Sequence, residues 1–157
     1  AVSGTKNAGK TTQLTKLIPL LRQAGKRVAA IKHDYHGFDI DLPGTDSYRL
    51  RQAGALGVAI YSEGQFAVIQ QQQNAVAEQM LGYFGDMDLV LLEGGKHTPY
   101  PKIEIVRRAI SESPVCRADT LIGLCTDCPL FMEGVPTYAL DDYDGMAKRV
   151  LELLNGG

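Results

Sequence analysis

The sequence is short of cysteine, of long apolar runs and of charge of one sign, and each shortage narrows what the chain can be. Its three cysteines, Cys116, Cys125 and Cys128, are odd in number and sparse among 157 residues. A disulfide framework is therefore not expected. Cys125 and Cys128 make a lone C-x-x-C with no second pair. It does not open a helix after a first strand, so buried or incidental thiols are expected there, and a reducing cytoplasm as the compartment. The formal net charge is −2 and there is no basic run, which argues against a nucleic-acid or membrane-surface footprint. No apolar stretch approaches the roughly 18 residues of a membrane-spanning helix, and no signal peptide is visible. Internal repeats and interdomain linkers are also missing. What remains, at 45% hydrophobic and 22% charged, has ordinary globular composition. It is long enough for one domain with a substantial core, and a single domain over 1–157 is expected.

What is present is concentrated first in Gly4-Thr5-Lys6-Asn7-Ala8-Gly9-Lys10-Thr11-Thr12. This reads G-x-x-x-x-G-K-[ST], the P-loop pattern. Gly4 and Gly9 allow a tight turn in which successive N–H groups point at phosphate oxygens. Lys10 supplies a compact positive charge for the β- and γ-phosphates, and the Thr11 hydroxyl is placed to ligate Mg²⁺. A helix follows, and its N-terminal end favours an anion. Ala1-Val2 reads as the tail of an apolar strand, with most of that strand expected upstream of the residues given.

Leu14, Leu17, Ile18 and Leu21 recur at helical spacing, so Thr12 to Ala24 is expected as one helix, bent at Pro19 and capped by Gly25. Arg27–Lys32 is a buried parallel strand, completing a right-handed βαβ unit. The long polar stretch from His33 to Thr45 leaves the carboxyl end of that strand, where open α/β sheets bind ligands, and is expected to bind or switch. His33 and His36 sit in an H-x-x-H spacing, with His97 the third histidine. Substrate hydrogen bonding or solvation fits them better than zinc. Thr45 or Asp46 is expected to cap a short helix to Ala53. Its Arg49 and Arg51 read equally as a solvated face or as contacts to an anionic ligand. Gly57–Ser62 and Phe66–Ile69 form a hairpin around Glu63-Gly64, and Gln70–Gln73 is a polar connector. Ala75–Phe84 is expected as a helix, and Thr137–Leu140 and Asp142–Leu154 as a last strand and closing helix.

Asp88-Leu89-Val90-Leu91-Leu92-Glu93-Gly94-Gly95 is the second informative stretch. Four apolar residues predict a buried central strand with Glu93 at its carboxyl tip. There a P-loop site needs a second carboxylate near the metal. Gly94-Gly95 would let the backbone pass close to phosphate, and Asp88, at the other end, should point away. Lys102–Arg107 alternates as a strand, and Leu121–Cys125 is a buried strand ending in Thr126-Asp127. Asp127 is a candidate acceptor for guanine N1–H and the 2-amino group.

Taken together, Gly-x-Lys-x-x-Gly-Lys-Thr-Thr, Ile31-Lys32-His33, Pro43-Gly44-x-Asp46-Ser47-Tyr48-Arg49 with Ala53-Gly54-Ala55, Leu91-Leu92-Glu93-Gly94-x-Lys96-His97 and Pro101-Lys102-Ile103 resemble the molybdopterin-guanine dinucleotide biosynthesis protein B (MobB) family over nearly the whole chain. The resemblance implies an α/β fold of the P-loop NTPase class that includes dethiobiotin synthetase. That fold is a mostly parallel sheet flanked by helices, here with a β-hairpin insertion. It implies GTP binding, weak GTP hydrolysis, Mg²⁺ dependence, a homodimer and an accessory role beside the guanylyltransferase that attaches GMP to molybdopterin, with molybdopterin itself a possible ligand. It places nucleotide contacts on Gly4 to Thr12, with Lys10 and Glu93 at the reacting end, and makes Glu93 the metal partner of Thr11. No N-K-x-D motif is present, so guanine preference rests on the resemblance. Two further classes stay open on the residues alone: a P-loop small-molecule kinase or ligase, and a nucleotide-gated adaptor without required catalysis.

Overall fold

A computed structural model describes residues 1–34 and 37–156. His36, the second histidine of the H-x-x-H spacing, lies outside the described residues. The described chain divides into two compact units, Ala1–His33 with Met80–Gly157, and Asp34–Gln79.

The first unit is built on a six-stranded sheet. Its strands are β1 (Val2–Gly4), β2 (Val28–Lys32), β5 (Leu89–Glu93), β6 (Lys102–Val106), β7 (Leu121–Thr126) and β8 (Thr137–Tyr138), in the order β2-β5-β1-β6-β7-β8. Every pairing is parallel. Helix α1 (Lys10–Gln23) follows β1 directly and α4 (Tyr143–Asn155) closes the chain. Leu14, Leu17 and Leu21 of α1 and Met146, Ala147 and Val150 of α4 share one core with Val2, Leu91, Ile103, Ile105 and Cys125 of the sheet. Burying this stripe is what makes α1 a helix despite Pro19 in its interior. The helix is one continuous element, starting two residues earlier and ending one residue earlier than its periodicity predicts. The Asp142 side chain accepts from Gly145 N–H and caps α4, as an N-cap aspartate should.

Three expectations need correcting. Lys102–Val106 reads as an alternating strand, but all five residues are buried. The reason is its place between β1 and β7, where both faces are covered and the two charged residues must find partners inside. The helix expected over Ala75–Phe84 is only α3 (Ala77–Leu81) with a 3₁₀ turn at Gly82–Phe84. Gly82 is a poor helix residue, and α3 buries no side chain that would override it. The expected last strand stops at Tyr138.

The second unit holds α2 (Asp46–Gln52) and the antiparallel hairpin β3 (Gly57–Tyr61) and β4 (Phe66–Gln70). Thr45 Oγ1 accepts from Tyr48 N–H and caps α2, as its sequence predicts. On this unit Arg51 meets Asp39 and Asp41, at 3.5 and 3.4 Å, and Asp41 also accepts from Ser47 Oγ. Arg49 lies beside exposed Asp46. Both arginines thus have carboxylate neighbours of their own. Of the open alternatives for them, Arg49 sits on the solvated face and Arg51 ties the 39–41 segment to α2.

Candidate functional site

The site starts with the exit of β1. Val2 and Ser3 are buried, and the chain turns at Gly4 with φ +135°. A Cβ on Gly4 would lie 2.4 Å from the Ile105 carbonyl oxygen of β6, so no other residue fits. Asn7 and Gly9 also take positive φ, 64° and 99°, which folds Thr5 to Gly9 into a tight loop. Gly9 is the N-cap of α1 and its helix end has no side-chain cap. Those first amides are left for a ligand or solvent.

Lys10 folds back over this loop, its Nζ donating to Thr5 O at 2.7 Å and to Gly4 O at 3.4 Å. Burial pushes its pKa down, and Glu93 opposes that shift while Lys32 and Lys96 add to it. Thr11 Oγ1 donates to Glu93 Oε1 at 2.9 Å. Glu93 reaches this place because β5 lies beside β1, with Val2 opposite Glu93. The next turn is stitched to β1 twice, by Gly94 N–H to Val2 O and by Ser3 Oγ to Gly94 O. Lys32, at the tip of β2, stands 4.0 Å from Glu93 Oε1.

The structure thus brings together Gly4, Thr5, Lys6, Asn7, Ala8, Gly9, Lys10, Thr11 and Thr12 as one loop and helix start, with Glu93 beside them. A Cβ on Gly95 would sit 2.6 Å from the movable Leu92 Cδ2, and Gly95 takes φ +67°, a conformation that favours glycine. Asp88 points away as expected. It accepts from Arg27 backbone N–H at 2.7 Å and pairs with the Arg27 guanidinium at 2.9 Å.

Asp127 follows β7 at the same sheet edge, one strand beyond β6. Its Oδ1 accepts from Arg108 N–H at 2.7 Å, and that bond lowers its pKa. The carboxylate therefore fastens the turn after β6. Cys125 and Cys128 are free thiols. Burial raises the Cys125 pKa to about 12, which leaves it inert. Among the described residues no group of three or more His, Cys, Asp or Glu side chains is gathered for a metal, and no helix is long and apolar enough to cross a membrane.

The donor set of the loop fits a phosphate and a hard divalent cation. A hydroxyl and a carboxylate oxygen 2.9 Å apart match neighbouring oxygens on an octahedral Mg²⁺, which lie about 2.9 Å apart when each is 2.0–2.1 Å from the metal. Thr5 Oγ1 is buried with no hydrogen-bond partner among the described residues. Sequence reasoning had no means of seeing two neighbours of the site, Lys32 beside Glu93 and Arg107 beside Gly9. Both depend on which strands adjoin.

An inner parallel strand that delivers such a loop into a helix, with a carboxylate from the tip of the adjacent strand, defines the P-loop NTPase-like fold class. The family model for molybdopterin guanine dinucleotide synthesis protein B matches residues 1–127. The chain belongs to that family. It is similar to the molybdopterin-guanine dinucleotide biosynthesis adapter protein of Escherichia coli (strain K12), at 36% identity, covering 97% of this chain and 89% of that protein. The adapter protein of Haemophilus influenzae (strain ATCC 51907 / DSM 11121 / KW20 / Rd) is 35% identical, over 82% of this chain and 74% of that one. Among solved structures, molybdopterin-guanine biosynthesis protein B superposes with TM-score 0.68 at 25% identity, covering 98% and 97% of the two chains. Bacillus subtilis MobB superposes at TM-score 0.73 and 24% identity, covering 99% and 97%; this last likeness speaks to the fold.

Proposed function

We propose that the protein binds GTP with Mg²⁺ on the Gly4–Thr12 loop and serves as an accessory in making molybdopterin guanine dinucleotide. The observation that carries the nucleotide reading is the Thr11–Glu93 contact at 2.9 Å, set at the mouth of a loop whose helix end is uncapped. The names of the curated relatives, adapter proteins of this biosynthesis, support the pathway and the accessory role. The partner we assign is the guanylyltransferase that attaches GMP to molybdopterin.

On this reading Lys10 leaves its carbonyl partners for a phosphate, and the loop amides hold the rest of the chain of phosphates. Thr11 and Glu93 hold the Mg²⁺, which when bound neutralises phosphate charge. Slow hydrolysis is expected, since the sequence shows no obvious catalytic glutamine or arginine finger. Asp127, at the end of β7, reads guanine. The homodimer is supported by the hairpin of the second unit. Ala59, Tyr61, Phe66 and Val68 lie on one face of it, Tyr61 and Phe66 paired and 84% and 67% exposed. An isolated two-stranded hairpin is marginal in water, and an apolar face of this kind marks an interface.

Calorimetric titration with GTP and with ATP, each with Mg²⁺, tests the proposal. Preference for GTP is expected. Equal binding or a preference for ATP moves the assignment to a kinase or ligase.

A further inference from the structure

Arg107 is not used in the reading above. It follows β6 immediately, and β6 pairs with β1 on the side opposite β5. The register sets Gly4 opposite Ile105, so Arg107 emerges beside the loop. Its guanidinium stands against Gly9. A Cβ built on Gly9 would lie 3.5 Å from Nη2 and 3.8 Å from Cζ. Its Nε is buried and meets no hydrogen-bond acceptor among the described residues. A buried donor of a charged group without an acceptor is costly, and Thr5 Oγ1, in the same loop, is left in the same condition. Two unpaired buried polar atoms at one loop call for a ligand with several acceptor oxygens, and a planar guanidinium suits phosphate.

The side it occupies selects which phosphate. Thr11 and Glu93, which would hold a Mg²⁺ that neutralises charge at the transferred end, stand on the β5 side. Arg107 enters from the other side of β1. We propose that Arg107 is a binding residue that grips the part of the phosphate chain shared by nucleoside di- and triphosphates, rather than the transferred end. This rests on the nucleotide reading of the loop.

The test compares wild type with Arg107→Gln and Arg107→Lys. It measures calorimetric affinity for GDP and for GTP with Mg²⁺, GTP turnover at saturation, and melting of the nucleotide-free proteins. Arg107→Gln is expected to weaken both nucleotides by the same factor, about ten- to a hundredfold, with saturated turnover unchanged. Arg107→Lys is expected to lose less, again equally. A loss confined to GTP, or a fall in saturated turnover, places Arg107 at the transferred phosphate and overturns the assignment, as does unchanged affinity for both. If Arg107→Gln fails to fold, Arg107→Lys decides: an equal, smaller loss supports the anchor and wild-type affinity overturns it. Should wild type bind neither nucleotide, the loop reading itself falls and takes this one with it, a result seen before any variant is compared.

Discussion

Two lysine–glutamate sets, Lys102 and Glu104 on β6 and Lys10 on α1 with Glu93 on β5, are treated very differently by the fold. Lys102 and Glu104 are 0% and 1% exposed, and each is fully engaged by backbone. Lys102 Nζ donates to Thr98 O and Tyr100 O at 2.6 and 2.9 Å. The two Glu104 oxygens accept from Val115 and Cys116 N–H at 2.6 and 3.0 Å. These charges pin two loops onto β6 and are sealed away from solvent. Lys10 and Glu93 are only part-buried, and their partners are makeshift: loop carbonyls for the one, a threonine hydroxyl for the other. Burial with full satisfaction marks a structural charge. Partial burial with exchangeable partners marks one that waits for something.

The comparison makes predictions that can break it. Glu104→Ala should cost the most stability, about 3 kcal/mol, because two buried N–H groups lose their acceptor and Lys102 loses a nearby counter-charge. Urea unfolding measures this, and nucleotide affinity of the protein that remains folded should hold. Lys10→Ala should do the reverse: melting close to wild type, with GTP affinity down about a hundredfold. If Lys10→Ala melted as early as Glu104→Ala, the division between the two sets would collapse. Glu93→Gln keeps the shape and removes the charge, so its loss should appear as a weaker dependence of GTP affinity on Mg²⁺, about tenfold by calorimetry at several Mg²⁺ concentrations. Asp127→Ala should lower the GTP-to-ATP preference by about fivefold, one exposed acceptor being worth somewhat less than a tenfold step. An unchanged ratio would leave Asp127 only its role of fastening Arg108.

The smallest effect concerns Asp88, far from the site. Hydrogen bonding from Arg27 lowers its pKa to about 2, against about 3.9 when unfolded. A carboxyl depressed in the folded state binds fewer protons there. Its contribution is therefore whole above about pH 4 and fades as the pH falls toward 2. The pair is solvent-exposed, so the effect is slight. Asp88→Asn should lower the neutral plateau of a pH–stability curve slightly and flatten its acid limb, the two proteins converging toward pH 2.

Much of this was legible in the order of residues. The loop from Gly4 to Thr12 carries its own geometry in its glycines. The Leu14–Leu17–Leu21 stripe announces a helix with one buried side. Leu89 to Leu92 can only be a strand buried on both faces, and its tip places Glu93 at the loop's edge of the sheet. These signals are local, set by steric freedom, side-chain period and apolar transfer, and they need no knowledge of neighbours. Strand adjacency is not local. Nothing in Lys-Ile-Glu-Ile-Val-Arg says that β6 lies between β1 and β7, so its lysine and glutamate read as a polar face when they are the most deeply buried charges in the core. The same blindness hides Arg107. Its place against Gly9 comes from the pairing of Gly4 with Ile105 across about a hundred residues, and a close packing of backbone on backbone decides it. Residue order determined which pieces form and which chemistry they carry. Only the tertiary structure decided which charges are sealed in and which are left with unfinished hydrogen bonds, because that depends on what each strand is packed beside.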